Sequence, residues 1–201
     1  MKIAITGHTS GVGKSLYDKL TELGHTVFGY SRANGFDLSN KDQVAKLVNK
    51  ISYRENMKYT KGRFEFQDDD DVDVFINNAY YNWSQVDLLY KVYEPWRDKD
   101  KIIINIGSVT GDSSKKYMHE YQVHKVALDN ACKQLQPLGK CKVINVRPGW
   151  VDTNFNPKKT IPKDIEILKP DQVADIVLYI LNQPKEICIK TISVEPWYKD
   201  E

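Results

Sequence analysis

The sequence predicts a doubly wound α/β fold, in which a parallel sheet of about six or seven strands carries helices on both faces. Three observations support this prediction. Short apolar runs recur along the 201 residues, stretches with helical spacing separate them, and a glycine-rich turn follows the first run. Strands that alternate with helices are typical of parallel sheets, because each connection must cross over a face of the sheet. We expect residues 1–201 to form a single domain.

The first predicted unit is a strand, a glycine turn, a helix and a second strand. Residues 2–6, KIAIT, are a short apolar run bounded by glycine and are typical of a buried strand. The helix ends at Gly24, and the second strand is HTVFGYS at 25–31. The apolar face of the helix consists of Val12, Leu16, Leu20 and Leu23. Such a unit closes as a right-handed parallel crossover.

The alternation continues to the end of the chain. Further strands are predicted at 72–76, 101–106, 142–146 and 187–194. Helices are predicted at 41–51, 84–93, 117–135 and 171–181. The stretch at 58–71, KYTKGRFEFQDDDD, fits neither pattern, and we expect a solvated loop there rather than a metal site.

The sheet is predicted to be shortened after its second strand. No helix fits between Ser31 and Phe36, and a parallel crossover needs about a dozen residues or more. If GFDL at 35–38 takes a strand position, it reaches that position through a turn. A helix, and with it an edge strand usual in such sheets, is then missing.

Charge and cysteine content restrict the classes of partner. The 29 basic and 27 acidic side chains nearly cancel, at a net charge of +2, so no basic field indicates nucleic acid or an anionic membrane. No apolar run approaches the roughly 18 residues of a membrane span, and the N-terminus does not fit a signal peptide. The three cysteines form neither a Cys-x-x-Cys pair nor a disulfide framework. We expect a cytoplasmic chain whose partners are small molecules or copies of itself.

The stretch TGHTSGVGKS at 6–15 allows two interpretations. A triphosphate loop needs a glycine, four residues and then Gly-Lys-Ser/Thr, because backbone amides and the lysine wrap the terminal phosphates. The Gly-Lys-Ser part is present, but His8 occupies the position of the first glycine. A dinucleotide loop fits better, since Gly7, Gly11 and Gly13 supply the tight turn, the approach to a pyrophosphate and the packing of helix on strand. We therefore predict a Rossmann-type nucleotide site.

Four later motifs accompany this loop. The full set is TGHTSGVG at 6–13, NNAY at 77–80, NIGS at 105–108, YQVHK at 121–125 and RPGWVDT at 147–153. In order and position the motifs resemble those of the short-chain dehydrogenases/reductases, over nearly the whole chain. A Tyr-x-x-x-Lys pair is common by chance, but a serine thirteen residues before the tyrosine makes the combination specific. The resemblance implies hydride transfer between a nicotinamide cofactor and a small carbonyl or alcohol substrate.

Ser108, Tyr121 and Lys125 are the predicted catalytic set. Tyr121 and Lys125 are four residues apart on a predicted helix, so both project from the same face. A phenol with a pKa of about 10 is a poor acid–base catalyst at neutral pH, and we expect the nearby ammonium to lower that pKa. The resemblance adds the roles: Tyr121 exchanges the proton, Lys125 also holds the nicotinamide ribose, and Ser108 orients the substrate.

The cofactor is predicted to be NADP, with NAD as the alternative. The second strand ends in Ser31 and Arg32, whose hydroxyl and guanidinium suit a 2′-phosphate, whereas an acidic residue there would repel it. The resemblance assigns further cofactor contacts to Gly7, Ser10, Gly11, Val12, Gly13, Asp37, Leu38, Asn77, Asn78, Ala79, Tyr121, Lys125, Pro148, Gly149, Val151 and Thr153. No metal site is predicted, because His119 and His124 have no third ligand at a suitable spacing.

The middle of the chain departs from the family pattern. The family's asparagine on the helix before the serine strand is replaced by Asp87 in the local pattern, with Asn82 as a second candidate. The segment from 78 to 108 is shorter than usual, which leaves open the proton relay and the homodimer or homotetramer that the family implies. Tyr80 replaces the usual glycine after NNA and brings a bulky ring near the cofactor.

Other functions and the choice of substrate stay open. The shortened middle segment is also compatible with a nucleotide-binding regulatory or scaffold protein. Such a protein, however, does not need a tyrosine whose pKa is shifted. Triphosphate hydrolysis requires His8 to stand in for a glycine. The lysine-bearing stretch at 154–169 either favours an acidic substrate or is simply solvated. Trp150, Tyr81 and Trp83 either line an apolar pocket or pack within the protein.

Overall fold

The computed structural model describes residues 1–52, 71–112, 119–153 and 167–197 with their side chains, and residues 57–60 and 63–66 through their backbone. The strands are β1 Lys2–Thr6, β2 Thr26–Tyr30, β3 Met57–Thr60, β4 Arg63–Phe66, β5 Val74–Asn77, β6 Ile102–Ile106, β7 Lys142–Pro148 and β8 Thr191–Val194. The helices are α1 Gly11–Glu22, α2 Lys41–Ser52, α3 Ser84–Trp96, α4 Glu120–Leu135 and α5 Pro170–Leu181.

Six of the strands form one parallel sheet in the order β2-β1-β5-β6-β7-β8. The order of the strands reverses between β1 and β5, which makes this the switch point of the sheet. Ligands of open α/β sheets bind outside the carboxyl ends of the strands at such a point. The predicted doubly wound α/β fold is confirmed, and its topology directs attention to the loops after β1, β5 and β6.

The side chains of the central strands divide the core between the two faces of the sheet. One apolar cluster joins the sheet to α2, α3 and α4 and includes Ala4, Phe75, Ile103 and Val143. The other joins it to α1 and α5 and includes Ile3, Ile5, Val74, Ile76, Ile104 and Ile144. Because these strands are covered on both faces, their sequences are continuous apolar runs rather than alternating ones.

The chain passes from β2 to α2 without adding a strand. A short 3₁₀ turn, Arg32–Asn34, follows β2 and ends at Gly35, whose φ is 82°. Phe36 and Leu38 then pack against the cluster on the α2 face, so GFDL does not take a strand position. Within the described residues β2 is therefore the outer strand of the sheet, as the missing crossover predicts.

The loop expected at 58–71 is wrong for residues 58–60 and 63–66, which lie in strands. β3 and β4 form an antiparallel pair in which Met57 lies opposite Phe66 and Thr60 opposite Arg63. The run RFEF alternates polar and apolar residues with the period of a strand, but it is short and lies among charged residues. Residues 67–70, with three of the four aspartates, lie outside the described residues.

The last strand is shorter than predicted. It begins at Thr191 rather than at residue 187. The N–H of Ile187 donates to the Pro184 carbonyl at 3.0 Å, which makes a turn. Lys142 Nζ also donates to the Ile187 carbonyl at 2.9 Å. These contacts use the N–H and the carbonyl of Ile187, which in a longer strand would form hydrogen bonds with β7.

Replacement of a buried leucine on α3 tests the packing of this helix on the sheet. Leu88 is wholly buried, whereas Leu23 at the end of α1 is 60% exposed. We expect Leu88→Ala to lower the free energy of unfolding by about 2–5 kcal/mol, because the lost contacts leave a cavity. Leu23→Ala serves as the control, with an expected change within about 0.5 kcal/mol. Urea denaturation measures both variants, and equal losses would contradict the packing.

Candidate functional site

The loop between β1 and α1 is shaped by its glycines. Gly7 and Gly11 have φ angles of 73° and 53°, which favour glycine. A Cβ on Gly13 would lie 2.0 Å from the Gly7 carbonyl oxygen, so no side chain fits there. The start of α1 therefore stands directly against the loop, with its first amides at the carboxyl edge of the sheet. Such a cradle of backbone fits a pyrophosphate.

The first residues after β5 hold this loop in place. Thr6 Oγ1 accepts hydrogen bonds from the N–H groups of Asn78 and Ala79, each at 3.0 Å. Asn78 Nδ2 donates to the Thr6 carbonyl at 2.9 Å. A Cβ on Gly7 would lie 3.0 Å from Ala79 Cβ, which shows how closely the two loops approach. Asn78 and Ala79 thus lie beside the glycine loop, where the family motif predicts them.

A cleft opens at the N-terminus of α1. Its walls include Ser10, Gly11, Asp152, Thr153 and Pro170. A Cβ on Gly11 would lie 3.0 Å from Thr153 Cγ2, so the chain after β7 closes over the glycine loop.

The other residues at the start of α1 have structural partners. Lys14 forms an ion pair with Asp18 on the same helix at 2.5 Å, and the Ser15 hydroxyl donates to Asp171 on α5. Val12 packs on the apolar core. Because Lys14 and Ser15 are bound to carboxylates of the protein itself, they weaken the triphosphate interpretation.

The chain after β7 is directed toward this cleft by its own hydrogen bonds. Pro148 is buried at the end of β7, and the Gly149 N–H donates to the Val194 carbonyl at 2.8 Å. Val151 makes a parallel bridge with Leu168. These contacts set the course of the chain up to residue 153. The lysines of the stretch at 154–166 lie outside the described residues.

The end of β2 lies next to the glycine loop, since the Gly7 N–H donates to the Tyr30 carbonyl at 2.7 Å. Ser31 is buried, and its N–H donates to Asn34 Oδ1 at 2.7 Å. Arg32 begins the 3₁₀ turn and is exposed. An exposed guanidinium therefore follows the strand beside the loop, at the predicted position.

Asp37 and Leu38 have different surroundings although they are neighbours in sequence. Hydrogen bonds from the backbone and the hydroxyl of Ser39 lower the pKa of Asp37, and the charge of Arg32 adds to this effect. Leu38 is partly buried against the apolar cluster. Asp37 is thus an ordered carboxylate near Arg32, while Leu38 contributes to packing.

Ser108, Tyr121 and Lys125 are brought together by the ends of β6 and α4. Ser108 is buried just after β6 and forms a hydrogen bond with Tyr121. Its Oγ also accepts the Thr110 N–H at 3.1 Å. Lys125 Nζ lies 5.4 Å from the centroid of the Tyr121 ring. The structure therefore brings these three side chains together, and their catalytic role stays a prediction.

Burial controls the titration of this group. It raises the pKa of Tyr121 to about 12, although the hydrogen bond with Ser108 opposes the shift. It lowers the pKa of Lys125 to about 7, against the opposite effect of Asp129 one turn along α4. The expectation that the lysine lowers the phenol pKa was therefore wrong. Burial makes a phenolate costly in the interior, and the neighbouring Tyr80 raises the pKa further.

Gln85 is the residue that sequence reasoning missed. It lies on α3, and its Oε1 accepts a hydrogen bond from Lys125 Nζ at 2.6 Å. Asp87 and Asn82, the two candidates for the position of the family asparagine, are both exposed, whereas Gln85 contacts Lys125 directly. The available signal was a glutamine at a position where the helical spacing of α3 places apolar side chains.

Asn77 lies behind Gln85 in the interior of the protein. It is wholly buried, and its Nδ2 donates to the Gln85 carbonyl at 2.8 Å and to Asn105 Oδ1 at 2.9 Å. Its own carbonyl accepts Gln85 Nε2 at 2.9 Å. The side chain of Asn77 thus faces α3 and β6, unlike those of Asn78 and Ala79, which face the glycine loop.

Tyr80 lies between Tyr121 and His124. Its ring meets that of Tyr121 edge-on, with the centroids 4.9 Å apart. Its hydroxyl and His124 Nδ1 are 2.8 Å apart and hydrogen-bonded, and the Trp83 ring lies 4.5 Å from that of His124. The Tyr80 ring therefore lies directly beside Tyr121, and His124 is buried as part of this aromatic group.

Comparison with known sequences gives relatives across the whole chain. No protein-family model matches it. An uncharacterized oxidoreductase of Staphylococcus aureus is 26% identical over 234 aligned positions, which cover 97% of each chain. Farnesol dehydrogenase of Aedes aegypti is 24% identical over 241 positions, which cover 97% of this chain and 96% of that protein. Because both alignments are longer than the 201 residues here, this chain lacks segments that the relatives have.

Solved structures share the fold. An alcohol dehydrogenase from the archaeon Thermococcus sibiricus, complexed with 5-hydroxy-NADP, has a TM-score of 0.74 at 21% identity and covers 100% of this chain and 99% of its own. A 3-ketoacyl-(acyl-carrier-protein) reductase from Brucella melitensis, complexed with NADH, has a TM-score of 0.75 at 18% identity and 96% coverage of both chains. The comparisons confirm the predicted resemblance to the short-chain dehydrogenases/reductases and the predicted class of enzyme. Among the helices that the structure describes, none has the length and apolar character to span a membrane.

The buried lysine predicts how stability depends on pH. The pKa of Lys125 is about 7 in the folded chain, against an ordinary value of 10.5 for a lysine side chain, so the unfolded chain binds more protons between these values. The free energy of unfolding contributed by this group therefore rises as the pH rises from 7. We expect Lys125→Met to reduce the gain in stability between pH 7 and pH 9, as measured by urea denaturation. Lys133→Met, at an exposed position of α4, is the control, and an unchanged gain in Lys125→Met would contradict the burial.

Proposed function

We propose that the chain is an oxidoreductase that transfers a hydride between NADP(H) and a small carbonyl or alcohol substrate, with Ser108, Tyr121 and Lys125 as its catalytic set. The observation that carries this proposal is the convergence of these three side chains at the edge of the sheet that also carries the glycine loop. Relatives that are named oxidoreductase and farnesol dehydrogenase support it. They favour an enzyme over a regulatory scaffold on the same fold.

The cofactor is proposed to lie across the carboxyl ends of the parallel strands. The glycine loop with Ser10 and Val12 would hold the pyrophosphate at the start of α1. Asp37 and Leu38 would adjoin the adenosine end, and Asn78 and Ala79 the middle. The residues proposed for the nicotinamide end are Pro148, Gly149, Val151, Thr153, Tyr121 and Lys125. When it is bound, the nicotinamide supplies or takes the hydride.

Arg32 supports NADP rather than NAD. Its exposed guanidinium follows β2 at the position where an acidic residue would repel a 2′-phosphate. A guanidinium forms paired hydrogen bonds with phosphate oxygens. The structural neighbours include complexes with an NADP derivative and with NADH, so the fold accepts either cofactor and the choice depends on local residues.

The protonation state of Tyr121 suits the proton donation that reduction of a carbonyl requires. With a pKa of about 12 the Tyr121 phenol carries its proton at neutral pH. It therefore starts in the protonated form that donation to a carbonyl oxygen requires, and Ser108 would hold the same oxygen. The hydride adds to the carbonyl carbon, and the product is an alcohol. Lys125, with a pKa of about 7, is suited to exchange protons near neutrality.

Removal of the phenol hydroxyl tests the proposed chemistry. We expect Tyr121→Phe to lower the rate of NADPH oxidation with a panel of carbonyl compounds by about 10²–10⁴-fold, because the proton donor is lost. NADPH binding, followed by its fluorescence, should be retained. Tyr90→Phe, at an exposed tyrosine of α3, is the control. Tight NADPH binding without turnover on any member of the panel would favour the regulatory scaffold instead.

Replacement of Arg32 tests the choice of cofactor. We expect Arg32→Ala to weaken NADPH binding by about 10–100-fold, as for the loss of a charged hydrogen bond of about 1.5–3 kcal/mol, with little effect on NADH. Arg32→Lys keeps the charge and should lose less. Lys185→Ala, at an exposed and distant lysine, is the control for net charge. Tighter binding of NADH than of NADPH, unchanged in Arg32→Ala, would contradict the proposal.

A further inference from the structure

The side-chain nitrogen of Lys125 is surrounded by protein atoms. Its Nζ donates to Gln85 Oε1 at 2.6 Å and to the Ile106 carbonyl at 2.8 Å. The rings of Tyr80 and Tyr121 lie over the same atom, with their centroids at 5.6 and 5.4 Å. The lysine is only 3% exposed. Two of the three N–H groups of an ammonium are therefore bound to acceptors of the protein itself.

The orientation of the Gln85 amide is fixed by its own contacts. Nε2 donates to the Asn77 carbonyl at 2.9 Å and to the Ile106 carbonyl at 3.1 Å. A flipped amide would place an oxygen against two carbonyl oxygens, so the network assigns Oε1 to the lysine. Gln85 is 3% exposed and has no room to turn away. Gln85 Oε1 is therefore held in place as a hydrogen-bond acceptor for Lys125 Nζ.

We propose that Gln85 positions Lys125 and stabilises its ammonium form by direct contact through the amide oxygen. This inference rests on the proposed function only for the task that Lys125 performs. A neutral amide offsets part of the cost of burying the Lys125 ammonium. A carboxylate at the same distance would stabilise the ammonium much more strongly and keep the lysine charged. The proton on Lys125 therefore stays exchangeable near neutral pH.

Other charged and titratable groups surround the lysine. Asp129 and Cys132 lie on α4, and the charge of Asp129 raises the pKa of Lys125. Asp129 is itself bound to Asn145 at 2.6 Å and to Arg147 at 3.1 Å. Its carboxylate is thus shared with groups other than the lysine, whereas Gln85 Oε1 contacts Nζ directly.

A purely structural role for Gln85 gives a different expectation. Its Nε2 satisfies two buried carbonyls, so loss of the side chain costs stability in either case. A residue that only fills this space would leave the pKa of Lys125 unchanged. The pKa of the lysine therefore separates the two roles, and it does so without a substrate.

Nitrogen-15 NMR of the lysine side chains of the full chain measures this pKa. The Lys125 Nζ signal is assigned from its loss in Lys125→Arg and followed from pH 5 to pH 10. Gln85→Met keeps the length of the side chain and removes the acceptor, so we expect the pKa of Lys125 to fall. Gln85→Glu adds a negative charge next to Nζ, so we expect a rise of about one to three units. Glu94→Gln, an exposed change on α3, should leave the pKa unchanged.

The same pKa of Lys125 in folded Gln85→Met and Gln85→Glu as in the wild-type chain would overturn the proposal. If only one variant folds, the direction of its shift decides. If neither folds, the wild-type chain decides, because the proposal requires an exchange-protected Lys125 NH₃⁺ signal with a cross-peak to the Gln85 side chain below pH 6. These readings need no catalysis, so a failure of the NADPH assays would count against the proposed function and not against this contact.

Discussion

The close approach of Gly13 to the Gly7 carbonyl is the contact on which the rest of the site depends. It places the first turn of α1 against the loop after β1, at the point where the strand order of the sheet reverses. Thr6 then ties this loop to Asn78 and Ala79 after β5. Since all six strands are parallel, every loop that follows a strand ends at the same edge. The phosphate cradle and the residues after β6 thus share one edge of the molecule.

Burial is the second constraint, and it sets the chemistry of the site. The same interior that raises the pKa of Tyr121 lowers that of Lys125. The phenol is thereby kept protonated, and the lysine is kept close to half-charged at neutral pH. The ring of Tyr80 contributes to this enclosure, where the related family has a glycine. Gln85 limits the cost of the buried ammonium. Protein atoms from α3 and β6 therefore bind the buried Lys125 Nζ.

Local patterns in the sequence predicted most of the fold, and contacts between distant segments account for what was missed. The apolar runs and helical spacings identified β1, α1 and α5, because each pattern reports the face that is buried. The hairpin of β3 and β4 was missed since its alternation is short and lies among charges. The spacing of Tyr121 and Lys125 predicted that they project from one face of a helix. Spacing carries no information on burial, so the predicted direction of the phenol pKa shift was wrong. Gln85 accepts a hydrogen bond from Lys125, which lies 40 residues away on α4. No local pattern in the sequence shows this contact.

The proposed site places a cofactor at the glycine loop beside the protonated Tyr121, so that a hydride passes from the cofactor to a carbonyl carbon. The most direct measurement is to incubate the protein with NADPH that carries deuterium at both C4 positions and a panel of carbonyl compounds, and to analyse the products by mass spectrometry. We expect the wild-type chain to form an alcohol that carries deuterium on the carbinol carbon. Formation of this alcohol should be lost in Tyr121→Phe. Retention of the deuterium on a bound cofactor, with no labelled alcohol from any compound, would contradict it.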